Sequence, residues 1–235
     1  MNFEGKNVVV VGAAGGIGTL LCERLAKNGA NLALCSKNEE KLSALVSELL
    51  EKYPVKIVSR AVDVTDEAQV EGFMCEAGEK LGKLDRLINL AGLSIPNQYA
   101  QTDLAVFDMM MDVNVKGSFL TCKHFAEKAA DSALIINTGS MAARNTNANA
   151  PIYCMAKAAV NKLSDGLLLQ YAKKNIRVTT INPGGIDTPF WGTRAVDRSK
   201  LMTAEDVVEV FWFVLNMSET VQIHSIDFES FRKFN

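Results

Sequence analysis

Asn7-Val8-Val9-Val10-Val11 runs into Gly12-Ala13-Ala14-Gly15-Gly16-Ile17-Gly18, and residues 19–28 continue with helical character. The order of these three pieces decides the reading. A parallel strand delivers the chain to the C-terminal edge of a sheet, and the helix that follows points its N-terminus at the same place. Exposed N–H groups and the positive end of the helix dipole then favour an anion there. Gly12 permits the tight turn, Gly16 lets backbone approach a pyrophosphate, and Gly18 allows close helix–strand packing. The spacing is GxxxGxG, without the Lys-Ser/Thr that a nucleotide triphosphatase loop carries. The stretch predicts a dinucleotide site lined by Gly12, Ala14, Gly15, Gly16, Ile17 and Gly18. Plain turns are the other use of such glycines.

The same alternation continues outward. Apolar, β-branched runs recur at 7–11, 31–35, 56–61, 86–89, 133–137, 177–181 and, more weakly, 221–228. Between them, residues 39–52 place Leu42, Leu45, Val46, Leu49 and Leu50 on one helical face. Residues 65–81 open with Thr65-Asp66-Glu67-Ala68, a helix start with acids in the first turn. Strand and helix in repeated alternation mean a parallel sheet with both faces covered. The expected fold is α/β and doubly wound, of Rossmann type. About seven mostly parallel strands carry helices on both faces, a three-layer α/β/α sandwich. No Pro- or Gly-rich linker interrupts the chain, so one domain over residues 1–235 is expected. Residues 1–114 form mainly its dinucleotide-binding half and 115–235 its catalytic and substrate-binding half.

Composition excludes several classes of function. A net charge of −2 on 235 residues does not suit a strongly basic nucleic-acid binder. No apolar stretch approaches the length of a membrane span. The stretch 1–18 lacks a basic region and a cleavage site, so a secretory signal is not expected there. Five scattered cysteines, no CxxC pair and only two histidines argue against a metal site. Reduced thiols in a cytoplasmic protein are the expectation.

Two further segments suggest chemistry. The second strand ends Leu34-Cys35-Ser36-Lys37-Asn38, with no acid before Glu39. An acid there would accept from both ribose hydroxyls of NAD, whereas Ser36 and Lys37 suit the 2′-phosphate of NADP. NADP(H) is therefore expected over NAD(H), with a solvated loop lysine as the alternative role of Lys37. In 151–160, Tyr153 and Lys157 stand four apart on one helix face. A cation near a phenol favours phenolate, so the pair can serve as a tuned proton donor or acceptor. A half-buried tyrosine beside a surface lysine has the same spacing. Ser140 follows the run 133–137, Asn89-Leu90-Ala91-Gly92 follows another, and Pro183-Gly184-Gly185 a third. These constellations converge on one sheet edge. Asn114 lies in a helix-like stretch, 108–120.

With these motifs in order, the chain resembles the short-chain dehydrogenase/reductase family over essentially its whole length. The matching positions are Gly12, Gly16-Ile17-Gly18, Asp63-Val64, Asn89-Leu90-Ala91-Gly92, Asn114, Ser140, Tyr153 with Lys157, and Pro183-Gly184 with Thr188. The resemblance implies an NAD(P)-dependent oxidoreductase with Tyr153 as acid/base. Lys157 would hold the nicotinamide ribose and lower the Tyr153 pKa, and Ser140 would donate to the substrate oxygen. Asn114 would anchor a relay water. Asp63 and Val64 would flank the adenine, and Asn89, Ala91 and Gly92 would line the adenosine side. Ile186 and Thr188, with Pro183 and Gly184, would hold the nicotinamide end. A homodimer or homotetramer is also implied. The chain departs from the family at Val11 (usually Thr), Leu90 (usually Asn) and Gly15 (basic in many NADP-binding members). It also lacks the common Asp-Gly-Gly ending.

The expected substrate is a small or medium ketone or secondary alcohol. A 3-oxoacyl thioester, a polyol and a hydroxysteroid are alternatives, and an NADP-binding sensor or scaffold is the non-enzymatic one. Ser94, Ile95, Met141, Gly185, Phe190 and Trp191 join Ser140 and Tyr153 as pocket candidates. Arg194, Arg198 and Lys200 on the loop that follows suit either solvent or an anionic substrate group. Met109-Met110-Met111 and Phe211-Trp212-Phe213 are read as packing clusters.

Overall fold

Val8, Val9, Val10 and Val11 are all buried. Side chains alternate across a strand, so Val8 and Val10 join one apolar layer while Val9 and Val11 join the other. The same parity separates Leu32 and Leu34 from Ala33 and Cys35, and Leu134 and Ile136 from Ala133 and Ile135. The continuous apolar runs thus reflect a sheet covered on both faces.

The structure, a computed structural model, describes residues 3–234. Its strands are β1 (Asn7–Val11), β2 (Asn31–Ser36), β3 (Ile57–Ala61), β4 (Leu84–Asn89), β5 (Ala129–Thr138), β6 (Arg177–Pro183) and β7 (Ser225–Phe228). They form one parallel sheet in the order β3-β2-β1-β4-β5-β6-β7. Helices α1 (Gly16–Lys27), α2 (Glu39–Lys52) and α7 (Ala204–Leu215) cover one face, packing Leu25, Leu45 and Phe211 against it. Helices α3 (Glu67–Leu81), α5 (Gly117–Lys128) and α6 (Pro151–Tyr171) cover the other with Phe73, Phe125 and Leu167. Helix α4 (Leu104–Met111) precedes α5. This is the doubly wound arrangement that the sequence predicts.

Helix starts follow local chemistry. Asn38 caps α2 by accepting from the Lys41 N–H, and Asp66 caps α3 by accepting from that of Gln69. Thr203 and Asp206 form a reciprocal capping box on α7. Such caps contribute about 1 kcal/mol each.

Strands β4 and β5 begin earlier than the sequence reading has them, at Leu84 and Ala129, and two further elements differ from it. The helix expected over 108–120 is divided by a π-helical turn at Asp112–Lys116, where Asn114 Nδ2 donates to the Met110 carbonyl at 2.9 Å. A side chain entering the backbone ladder favours such a bulge. The last strand covers only Ser225–Phe228, not 221–228. Side chains satisfy part of the preceding backbone instead: Arg177 Nη1 donates to the Ser218 and Val221 carbonyls, and Gln222 Nε2 to that of Ile223. Of the two aromatic and methionine clusters, Met110 and Phe211 are buried and Met109 and Phe213 exposed. The five cysteines are free thiols, and burial raises the pKa of Cys22, Cys35 and Cys122. Among the described residues no helix is long and apolar enough to cross a membrane.

Candidate active site

Strand register determines which loops meet. Val11 lies beside Asn89, Asn89 beside Asn137, and Thr138 beside Ile181. The chain therefore leaves β1, β4, β5 and β6 along one edge, and the strand order reverses between β1 and β4. Ligands of such sheets bind outside that edge. A cleft of about 2140 Å³ opens there.

One end of the cleft is built from the glycine-rich turn. Gly12 has φ +81°, and a Cβ on it would stand 2.8 Å from the Ala91 nitrogen. A Cβ on Gly18 would stand 2.5 Å from the carbonyl oxygens of Gly12 and Ala13. Both positions thus require glycine, the first for its backbone angle and the second for space. Helix α1 begins here with Gly15 as N-cap, no capping side chain and no acid in its first turn. Its first N–H groups suit the pyrophosphate of a dinucleotide. Gly16 lies against Thr188, whose methyl carbon would be 3.0 Å from a Cβ there.

Ser36, Lys37, Asp63 and Val64 line the same end. Lys37 Nζ donates to Asp63 Oδ2 at 2.7 Å, and Asp63 Oδ1 accepts from the Thr65 N–H and hydroxyl. The Lys37 hydrogen bond first, and those of Thr65 next, hold the Asp63 carboxyl at about 2. Ala91 and Gly92 line the cleft, but Asn89 does not. Asn89 is buried beneath its floor, where Nδ2 donates to Asn137 Oδ1 at 2.8 Å. Its position on β4 turns it towards its neighbour on β5, so it ties strands together rather than lining the adenosine side.

At the other end α6 carries Tyr153 and Lys157 one turn apart. Lys157 is only 4% exposed, and its Nζ donates to the Thr138 carbonyl at 2.7 Å. Burial lowers its pKa to about 8. Burial also pushes the Tyr153 phenol up to about 12, opposed by a hydrogen bond with Ser140 and by the charge of Arg194. Lys157 Nζ lies 5.8 Å from the Tyr153 ring centroid. The depression expected from Lys157 is not among the influences on the phenol, where burial dominates and the lowering charge is that of Arg194. The Ser140 hydroxyl accepts from the Ala142 N–H at 3.1 Å.

Asn114 lies outside the cleft wall, fully buried, and braces it. Its Nδ2 donates to the Leu93 carbonyl at 2.9 Å, and its Oδ1 accepts from the Leu93 N–H at 3.3 Å. A Cβ on Gly92 would stand 2.9 Å from Asn114 Oδ1 and 3.3 Å from Lys157 Nζ, so Gly92 gives Asn114 and Lys157 room.

Pro183, Gly184, Gly185, Ile186 and Thr188 line the cleft beyond β6, with Ser94, Ile95, Met141, Phe190 and Trp191 also in its lining. The Phe190 and Tyr153 ring centroids are 6.1 Å apart. Trp191 Nε1 donates to the Ile186 carbonyl at 2.7 Å, which fixes that ring as a wall.

A family model described as short chain dehydrogenase matches residues 6–199. The chain belongs to the short-chain dehydrogenase family. These are oxidoreductases that bind NAD(P). This short-chain dehydrogenase is 29% identical over 228 residues to an uncharacterised oxidoreductase of Staphylococcus saprophyticus, which covers 96% of this chain and 97% of that one. An uncharacterised oxidoreductase of Staphylococcus aureus is 32% identical over 224 residues, 94% of this chain and 95% of that one. An alcohol dehydrogenase from the archaeon Thermococcus sibiricus, solved with 5-hydroxy-NADP, has the same fold. Its TM-score is 0.88 at 24% identity, over 97% of both chains.

The short-chain dehydrogenase also places beside Ser140 residues that the motifs did not reveal. Asn182 Oδ1 accepts from the Ser140 N–H at 3.0 Å, and Asn182 Nδ2 donates to Asp227 Oδ1 at 2.7 Å. Asp227 also pairs with Arg144. Gly139 is bare because a Cβ there would fall 1.9 Å from Asn182 Oδ1. The signal available in the sequence was a polar residue, Asn182, closing an apolar strand run.

Proposed function

We propose that this short-chain dehydrogenase interconverts a ketone and a secondary alcohol, with Tyr153 as the acid/base and NADP(H) preferred over NAD(H). The observation that carries this reading is the meeting of Tyr153, Ser140 and Lys157 at one end of a cleft. Its other end is a helix N-terminus with no side-chain cap. In this reading residues 1–235 act as one domain, 1–114 mainly holding the nucleotide and 115–235 the substrate.

The turn Gly12–Gly18 would hold the pyrophosphate, with Asp63 and Val64 at the adenine and Ala91 and Gly92 on the adenosine side. Lys157 would hold the nicotinamide ribose, and Pro183, Gly184, Ile186 and Thr188 the nicotinamide end. When bound, the nucleotide supplies or accepts a hydride at the carbonyl carbon. The chain does the rest. Ser140 donates a hydrogen bond to the substrate oxygen, and Tyr153 gives it a proton during reduction. Lys157, one turn along α6, stabilises the phenolate that results, and Asn114 anchors a water through which that proton is replaced. Phe190 and Trp191 exclude solvent and fix the substrate within reach.

Nucleotide choice rests on Lys37. Its side chain is 81% exposed. An ion pair that exposed contributes at most about 1 kcal/mol, so Lys37 can leave Asp63 for a 2′-phosphate. Titration with both dinucleotides should show tighter NADP(H) binding, and Lys37→Ala should reduce the preference about tenfold, as loss of a charge-assisted contact does. A preference for NAD that Lys37→Ala leaves unchanged contradicts the assignment.

Turnover of a ketone panel, followed by nicotinamide absorbance, tests the reaction itself. Nucleotide binding with no turnover of any ketone or alcohol would replace the enzyme by a sensor or scaffold. Five free thiols fit a reducing, cytoplasmic setting. The exposed Phe119 on α5 and Met155 and Leu169 on α6 fit helix pairing in a homodimer or homotetramer. Light scattering at the mass of one chain would exclude that assembly.

A further inference from the structure

The loop that covers the catalytic end carries three cations, and the structure separates them. Arg198 pairs with Asp187, and neither Arg198 nor Lys200 lines the cleft. Arg194 does line it. Its Cζ lies 5.3 Å from the Phe190 ring centroid and 5.0 Å from that of Trp191. Nε donates to the Trp191 carbonyl at 2.7 Å and Nη2 to that of Phe190, while Nη1 has no hydrogen-bond partner among the described residues. No carboxylate among those residues forms an ion pair with it.

A half-buried guanidinium with an uncompensated charge needs a reason. Cation–π contacts with two rings and two backbone hydrogen bonds hold it in place, so little freedom remains to be lost when an anion arrives. A carboxylate can accept bidentately along the guanidinium edge, from Nη1 and the remaining N–H of Nη2. The Phe190 ring beneath it stands beside the Tyr153 ring, and the Arg194 charge reaches the phenol. The acids of the cleft are engaged or stand elsewhere. Asp63 pairs with Lys37, Glu229 with Lys233 and Asp112 with Lys116, while Asp103 and Asp108 lie at the cap and within α4.

We propose that Arg194 determines specificity by binding a carboxylate on the substrate, so that the preferred ketones are short oxo acids and the alcohols the matching hydroxy acids. This rests on the reading of Tyr153 as the acid/base. Reduction adds hydride to the carbonyl carbon and a proton to its oxygen, and the carboxylate takes no part in bond making.

The test compares pentanoates carrying the oxo group at each position, their methyl esters, and hydroxyacetone phosphate. The wild type should prefer one acid over its ester by about tenfold or more in kcat/KM, the scale expected for a charge-assisted hydrogen bond. Arg194→Gln should collapse that ratio, chiefly through KM, and Arg194→Lys should recover part of it. Arg198→Gln should keep the ratio within about twofold. Calorimetric titration of the nucleotide-loaded protein with the preferred oxo acid gives a reading independent of turnover, and a thermal melt checks that each variant folds. Equal use of acid and ester, or a ratio that Arg194→Gln does not change, overturns the proposal while leaving Tyr153 in place. Preference for the phosphate overturns the carboxylate. Loss of all turnover in Tyr153→Phe but not in Arg194→Gln separates the two assignments.

Discussion

Tyr153→Phe should remove ketone reduction, lowering kcat by about 10²–10⁴-fold, the usual contribution of a positioned proton donor. That corresponds to about 3–5 kcal/mol of transition-state stabilisation. The substitution deletes one oxygen and keeps the ring beside Phe190, 6.1 Å away centroid to centroid. The melting temperature should therefore stay close to that of the wild type, and nucleotide affinity within a few-fold. The pH dependence has a sign that the structure fixes. Burial raises the phenol to about 12, so the protonated donor is the form present at neutral pH. Reduction needs that form and should not gain from added alkali. Alcohol oxidation needs the phenolate, so its kcat/KM should climb with pH below that value. Full activity in the phenylalanine variant, or oxidation indifferent to pH, would remove Tyr153 from the reaction.

Gly139→Ala should destabilise the protein strongly. The added carbon would lie 1.9 Å from Asn182 Oδ1, and Asn182 is fully buried. Asn182 cannot move aside without breaking its bonds to the Ser140 N–H and to Asp227. Overpacking together with a stranded amide should cost about 2–4 kcal/mol. For a chain of this length that lowers the melting temperature by about 5–15 °C. The surviving activity should fall at least tenfold, because Ser140, the proposed donor to the substrate carbonyl, is displaced. Gly166→Ala is the control. It sits within α6 with nothing inside 4 Å of the new carbon, so it should be neutral or stabilising by up to about 1 kcal/mol. A normal melt for Gly139→Ala would show that Asn182 does not hold this corner.

Lys37, Asn89 and Arg194 show where a reading of sequence stops. Lys37 is recognisable as a basic residue closing a strand, but its partner Asp63 lies across a helical crossover. Asn89 belongs to a recognisable motif, yet it faces Asn137 in the sheet rather than the cleft. Arg194, Arg198 and Lys200 look alike on a loop, and only the folded loop pairs Arg198 with Asp187 and leaves Arg194 at the cleft.

The sequence by itself determined the alternation of strands and helices, the two apolar layers and the glycine-rich turn, together with the order of Ser140, Tyr153 and Lys157. Each depends on residues within a few positions of one another: a period of two across a strand, a four-residue step on a helix, or a backbone angle only glycine adopts easily. The tertiary structure alone decided that Asn182 holds Ser140, 42 residues away, and that Asp227 holds Arg144, 83 residues away. Those pairings follow from strand register and loop closure, which bring distant side chains together with no trace in local spacing.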